Sequence, residues 1–348
     1  MGKFFIIFIY LFLMLYIGAI ASRKIKNISD YIVAGKNLGF WLFVLLIFGS
    51  TTSGMTILGV AGLGFLAGWP SFWEQIFVPL TCAIAITIYG YKLYSISKEK
   101  NFLTLQDYLS YRFQSDKGIR FISSIAVLVT SLIYLVGQYT AISIVLKWAL
   151  GIGQIQALSI GVIIVLIYVL LGGLYAVSWT TLFQGIIIIL GVLLTTPFII
   201  KSAGGLTYIN NTLVKIDPNL VKIAFPQVHP PYEKYAFCTP LYLISFFFLL
   251  ALGLGSGPHI INNVIAVRDK RYFKWSGIIV FVIYLIIMFL VKITGMAVKT
   301  LVVDGKLTVA KPDDAMLAGM SYVFGDKLLG FFAVIILAAV MSTTDRLL

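Results

Sequence analysis

Phe48-Gly49-Ser50-Thr51-Thr52-Ser53-Gly54-Met55-Thr56 stands in the middle of a run, 40–66, that is otherwise apolar and long enough to cross a bilayer. Glycine costs about 1 kcal/mol in a helix interior, and Ser and Thr compete for backbone hydrogen bonds, so a helix can break here. A break frees carbonyl oxygens. At mid-membrane depth unwound backbone is tolerable only where it is buried or lines a cavity, and its carbonyls are hard ligands suited to a small cation. Small residues also line ordinary helix contacts, and these nine residues alone leave both readings open.

A second stretch repeats the theme. In Gly253-Leu254-Gly255-Ser256-Gly257-Pro258-His259, a proline and three glycines remove or loosen intrahelical bonds, so this helix should also be discontinuous. The rest of the chain reads as membrane spans of roughly 20 apolar residues. Approximate boundaries are 3–21, 40–66, 71–95, 120–148, 156–176, 180–201, 237–262, 273–298 and 328–348. The two interrupted spans are then the second and the seventh. A separation of five spans is what an inverted repeat of five helices gives if each repeat begins with a broken one. The expected architecture is an all-α integral membrane protein of about nine transmembrane helices. On that spacing one N-terminal helix precedes a first repeat at about 40–201 and a partial second at about 237–348.

Composition agrees. Hydrophobic residues make up 60% of the chain and charged ones 11%, with mean hydropathy +1.01, more apolar surface than a water-soluble core of 348 residues can hide. A net charge of +13 invites nucleic acid as a partner, but the Lys and Arg residues sit in short connections between apolar runs, a pattern of membrane topology. Arg23, Lys24, Lys26, Lys36, Lys92, Lys98, Lys100, Arg112, Lys117, Arg120, Arg268, Lys270, Arg271 and Lys274 fall on one face, while the loops near 202–236 and 299–327 carry fewer per length. The expectation is a multi-pass protein of the cell membrane with its N-terminus outside. Ala19-Ile20-Ala21 resembles a signal-peptidase site, but the basic residues follow the apolar stretch, which favours a retained helix. Asn210-Asn211-Thr212 in the outer loop is a glycosylation sequon of a commonplace kind.

No catalytic constellation is present. His229 and His259 stand alone, Cys82 and Cys238 form no cluster, and HExxH, GxSxG and P-loop motifs are missing, so an enzyme is not expected, nor any cofactor or nucleic-acid partner. The last span supplies Ala339-Val340-Met341-Ser342-Thr343-Thr344-Asp345, with adjacent hydroxyls and an acid one turn from Ser342. In isolation the simpler reading of Ser342 and Thr343 is back-bonding to their own helix. Tyr134 and Gln138, one turn apart on the fourth span, offer polar contacts either to a cavity or to a neighbouring helix. Glu74 and Gln75 begin the third span, where snorkelling to water is the default.

Several stretches resemble the sodium/solute symporter family. They are Asp30-Tyr31-Ile32-Val33-Ala34-Gly35-Lys36, Phe102-Leu103-Thr104-Leu105-Gln106-Asp107-Tyr108, Gly172-Gly173-Leu174-Tyr175-Ala176-Val177-Ser178-Trp179-Thr180 followed by Gln184, Gly257-Pro258-His259 and Ala338-Ala339-Val340-Met341-Ser342-Thr343. The resemblance implies an incomplete five-plus-five inverted-repeat core preceded by one extra helix, a single transporter domain over 1–348, and sodium-coupled symport of a small organic solute by alternating access around a central site. It also implies a sodium ion held by the carbonyls of Gly49, Thr52 and Ala339 and the hydroxyls of Ser342 and Thr343, five oxygens suited to a hard cation. Solute contacts would come from Ser50, Thr51, Met55, Tyr134, Gln138, Leu250, Leu254 and Pro258.

Two departures from the family pattern bear on mechanism. Proline-type members carry an acid where this chain has Thr51, and many members carry Asp, a ligand for an additional sodium, where it has Thr181; one coupled sodium is therefore expected. Leu250 and Leu254 replace aromatic residues of proline-type transporters, which disfavours proline. Gly205-Leu206 and Ile216-Asp217-Pro218-Asn219-Leu220-Val221 resemble pantothenate-type members. Pantothenate, a short monocarboxylate and proline are the candidate solutes. Only three spans of the second repeat are present, so the chain reads as cut off after the ninth span, with Asp345 poorly enclosed. A membrane sensor with a transporter-like input domain is the alternative reading, and a channel is a third.

Overall fold

The computed structural model describes residues 2–115, 117–228, 238–325 and 328–348. His229 therefore lies outside the described residues. Six helices are long and apolar enough to span a membrane, and two bent pairs bring the total to eight. The first span is Gly2–Ser22. The second is the bent pair Phe40–Thr51 and Thr56–Ala67, at 68° to one another; the third runs over Trp69–Lys100 and the fourth over Gly118–Leu150. The seventh is the bent pair Pro240–Leu254 and Pro258–Ile265, at 47°; the eighth is Lys270–Val303 and the ninth Leu329–Leu347.

The fifth and sixth spans are joined differently from expectation. Instead of a gap at 177–179, helix runs from Gln154 to Ser202, interrupted only at Gly173 (φ 45, ψ −146). Forty-nine residues at 1.5 Å each extend about 74 Å, more than twice a ~30 Å hydrocarbon core, so the segment supplies two crossings that meet at Gly173. Glycine is required there twice over. The positive φ disfavours any side chain, and an added Cβ would lie 2.6 Å from the Tyr31 carbonyl oxygen. With this division the described chain carries nine spans.

The ninth span sits at the centre. It packs on the first, fourth and fifth-sixth spans and on the first half of the second, and nearly every residue from Leu329 to Asp345 is buried. This corrects the expectation for Asp345, which is 2% exposed. Tyr168 and Thr180, on the fifth and sixth spans, both donate to its carboxyl. Glu74 and Gln75 also differ from the expected snorkelling: they are 7% and 2% exposed, and Tyr242 of the seventh span donates to Glu74 Oε1 at 3.2 Å.

The long connection after the sixth span folds into an amphipathic helix, Gly205–Ile216, and a short turn, Pro218–Val221. Within it the Asn210 carboxamide accepts a 2.8 Å bond from Trp69 Nε1, so the sequon asparagine is held against the second–third span connection. At the opposite end Leu38 pairs with Val267, and the bonds Leu38 N–H to Ala266 O (3.0 Å) and Arg268 N–H to Leu38 O (3.1 Å) tie the entry to the second span to the exit of the seventh. The two broken spans are thereby linked at one end.

Candidate functional site: the break in the second span

The helix stops at Thr51, and Thr52 is extended (φ −89, ψ 91). Groups freed by the break find partners, as a buried backbone demands. Ser53 N–H donates to Thr56 Oγ1 (3.0 Å) while Thr56 N–H donates to Ser53 Oγ (3.3 Å), a reciprocal cap that restarts the helix. Gly54 N–H reaches Gln138 Oε1 of the fourth span at 3.2 Å. The Thr51 carbonyl accepts the Tyr284 hydroxyl of the eighth span at 2.6 Å, and the Tyr284 ring stacks edge-on against Phe48 at 5.6 Å. Tyr284 carried no signal in the sequence, being one aromatic residue in an apolar helix.

The carbonyls of Gly49 and Thr52 face the ninth span. Ser342 Oγ lies 2.9 Å from Gly49 O and 2.9 Å from Ala339 O; Thr343 Oγ1 lies 3.3 Å from Gly49 O and 3.0 Å from Thr52 O. The five atoms that the family resemblance implied therefore converge, joining residues nearly three hundred positions apart. Gly49 permits the approach: a Cβ there would overlap the Thr181 methyl and come within 3.4 Å of Ser342 Cβ. All five residues are buried. Three carbonyls and two hydroxyls form a neutral, hard-oxygen set. Each hydroxyl now donates to a carbonyl, and by rotating it can instead offer a lone pair to a cation. Where hydrogen bonds already hold the five oxygens together, little ordering remains for an ion to impose.

The expected solute contacts are less united. Ser50 Oγ and Thr51 Oγ1 bond carbonyls of their own helix, at 2.9 Å to Ile47 O in each case. Gln138 braces the break, as above, and Tyr134 is set toward Ser53. The side chain of Met55 lies outside the described residues. Leu250 and Leu254 are partly buried on the seventh span, which packs there against the third. Pro258 lines a separate cavity of about 260 Å³ together with His259, Asn262, Asp345 and Arg346.

That cavity borders a polar cluster around Asp345, of which Tyr168 alone carried no signal in the sequence. Asp345 accepts hydrogen bonds from Tyr168 and, at 3.2 Å, from Thr180 Oγ1, while the Thr181 hydroxyl and Gln184 Oε1 have no partner among the described residues. Two further buried ionisable groups, Glu74 and Lys292, lie elsewhere. The Lys292 ammonium is fully buried and donates to Ser71 Oγ at 2.9 Å. No group of three or more His, Cys, Asp or Glu residues is placed to hold a metal ion among the described residues.

Known proteins resemble this chain in sequence and in fold. The profile of the sodium:solute symporter family matches residues 31–348. The chain is 33% identical to the sodium/proline symporter of Escherichia coli (strain K12) over 199 residues, covering 57% of this chain and 40% of that protein. It is 26% identical to the sodium/pantothenate symporter of Haemophilus influenzae (strain ATCC 51907 / DSM 11121 / KW20 / Rd) over 320 residues, covering 91% of this chain and 63% of that protein. It thus spans less than two thirds of the length of either relative. A Na+-coupled sialic acid symporter, solved in a substrate-bound outward-open state, superposes with a TM-score of 0.82 at 19% identity over all of this chain and 71% of that one, a likeness of fold. Family profile, named relatives and the matching fold lead to one assignment: the chain belongs to the sodium:solute symporter family.

Proposed function

We propose that the chain carries the ion site and much of the solute pathway of a sodium-coupled symporter, N-terminus outside, working by alternating access. The single observation that carries the proposal is the meeting of Gly49 O, Thr52 O, Ala339 O, Ser342 Oγ and Thr343 Oγ1 between a broken span and the buried ninth span. Sodium bound there clamps the two spans together, so ion occupancy biases one arrangement of the pathway over another. The solute is a small organic molecule. Leu250 and Leu254 leave little to stack against a proline ring, which favours pantothenate or a short monocarboxylate.

With one sodium per solute, a potential of about 100 mV supplies roughly 2.3 kcal/mol per charge. A tenfold sodium gradient supplies about 1.4 kcal/mol. Together they support accumulation of a neutral solute by roughly several hundred-fold. A monoanion carried with one sodium moves no net charge and retains only the gradient, about tenfold. A second reading, two cations per solute, is favoured by Asp345: this buried carboxylate, which accepts from Thr180 Oγ1, supplies the acid that position 181 lacks.

The test is uptake of radiolabelled pantothenate, short monocarboxylates and proline into proteoliposomes, with sodium or choline outside. Sodium-dependent uptake that Ser342→Ala plus Thr343→Ala abolishes supports the reading. Uptake of every solute indifferent to sodium, by protein that is folded, overturns it. The ratio of labelled sodium to labelled solute, in wild type and Asp345→Asn, decides between one cation and two.

A further inference from the structure

At the end of the bundle that carries the basic loops, a groove of about 460 Å³ opens between the end of the third span and the start of the eighth, lined by Tyr94, Lys98, Arg268 and Lys270. A smaller recess of about 70 Å³ shares Tyr94, Lys98 and Arg268 with it and adds Lys36. Four cations thus gather around two adjoining hollows, and none forms an ion pair among the described residues. Lys36 Nζ reaches only the Ser97 carbonyl (3.4 Å), Lys98 Nζ only the Tyr94 hydroxyl (3.4 Å), and Arg268 Nη2 only the Tyr272 hydroxyl (3.0 Å). Lys270 bonds only through its backbone carbonyl, to the Phe273 N–H, and its ammonium has no partner among the described residues.

The two acids at the groove are engaged elsewhere. Asp269 receives three bonds from Arg271, at 2.9, 2.9 and 2.6 Å, which hold its carboxyl down at about 2, and Glu99 pairs with Lys100 at 3.0 Å. The floor is rigid. Tyr94 is buried, its ring meets Phe273 at 5.3 Å, and its hydroxyl donates to the Arg268 carbonyl at 3.2 Å; the Leu38–Val267 bridge fixes the backbone on the other side.

The surroundings identify the source of the anion. Ile88 and Tyr91, up to one and a half turns before the groove on the third span, are 52% and 45% exposed. Trp275 and Ile278 on the eighth are 56% and 53% exposed. Lys274 Nζ lies over the Trp275 ring at 5.7 Å, an aromatic-basic pairing typical of the headgroup level. A basic hollow whose two acids, Glu99 and Asp269, are hydrogen-bonded to Lys100 and Arg271 thus lies on the same two spans as exposed apolar and aromatic side chains, the arrangement expected of a site for a phospholipid and not for a soluble ion.

We propose that this groove holds the phosphate headgroup of an anionic phospholipid, with its acyl chains lying along Ile88, Tyr91, Trp275 and Ile278. The lipid bridges Lys98 of the third span to Arg268 and Lys270, which follow the second broken span. It thereby braces the end of the bundle at which the two broken spans are joined.

Native mass spectrometry of the full chain in a zwitterionic detergent tests this, with dioleoyl-phosphatidylglycerol, dioleoyl-phosphatidylcholine and inorganic phosphate as probes. Phosphatidylglycerol should be retained about tenfold over phosphatidylcholine. Lys270→Gln should weaken it about fivefold, and Lys98→Gln with Arg268→Gln more than tenfold. Lys215→Gln, at the opposite end, should change nothing. Equal retention of the two lipids, or retention indifferent to the groove substitutions, overturns the proposal. Complete displacement of phosphatidylglycerol by millimolar phosphate overturns the lipid assignment in favour of a soluble anion. Should the double variant not fold, Lys270→Gln decides alone, because that side chain makes no bond the fold could lose.

Discussion

The two interrupted helices look alike as strings of glycine and small polar residues, and the structure treats them in opposite ways. In the second span Ser50, Thr51, Thr52 and Ser53 are at most 6% exposed, and the freed backbone is gripped from three directions, by Gln138, by Tyr284 and by the Ser342–Thr343 pair. In the seventh span Gly253 and Ser256 are exposed, Leu252 is 69% exposed, and the Ser256 hydroxyl bonds only carbonyls of its own helix. An irregular helix is therefore not in itself a binding site. What turns carbonyls into a ligand set is a second element that brings hydroxyls to them.

The sharpest way to break this comparison is to add side chains at one glycine from each break. Gly49→Val should cost about 2–3 kcal/mol, because its Cβ would overlap Thr181 and crowd Ser342 in a packed interior. Gly253→Ala has no atom within 4 Å of its new Cβ and should be neutral, or stabilising by up to about 1 kcal/mol through helix propensity. Thermal unfolding in detergent reads both. Equal effects would mean that the seventh-span break is enclosed as tightly as the second.

The next effect in size belongs to the ion itself. A ligand present at a hundred times its Kd stabilises the folded protein by about 2.7 kcal/mol. Sodium, but not choline, should therefore raise the melting temperature of the wild-type chain, and Ser342→Ala with Thr343→Ala should erase that rise. Ser256→Ala should leave it intact. A sodium shift that survives the double substitution would place the ion elsewhere, with Asp345 the first residue to examine.

What could be read from the sequence, and what could not, divides along the same line. Apolar run length located the spans, because a bilayer imposes it on each helix separately, and the glycine-hydroxyl clusters located both breaks, because breaking is a local event. The five oxygens needed the family resemblance: nothing in Gly49 or Ser342 taken singly tells it from a packing glycine or a back-bonded serine. Asp345, Glu74, Lys292 and Tyr284 were misread or passed over because their partners are distant in sequence. Tyr168 is 177 positions from Asp345, and Tyr284 is 233 from Thr51. Burial of an ionisable group is a property of the bundle, and no window along the chain contains it. The junction of the fifth and sixth spans was misplaced for a local reason. A single glycine with positive φ suffices to separate one helix from the next, and no gap in the apolar run is needed.

Smaller effects separate the three grips on the second-span break. Gln138→Leu leaves the Gly54 N–H without its acceptor in a buried site, at a cost of about 1–2 kcal/mol. Tyr284→Phe keeps the ring against Phe48 and removes one donor to Thr51 O, which still has Thr56 Oγ1 at 3.3 Å, so about 0.5–1 kcal/mol is expected. Both should also weaken the sodium shift, since each holds the carbonyls on which the ion depends.

Ser256→Ala is the smallest and the most discriminating. Its hydroxyl is exposed and bonds only Leu252 O and Gly253 O, carbonyls of the same helix, so no tertiary contact is lost and the change should stay within about 0.5 kcal/mol. A loss of stability well above that would mean that the hydroxyl is held by something beyond its own helix. The seventh-span break would then be under the same tertiary control as the second, and the contrast between an enclosed break and a free one would fail.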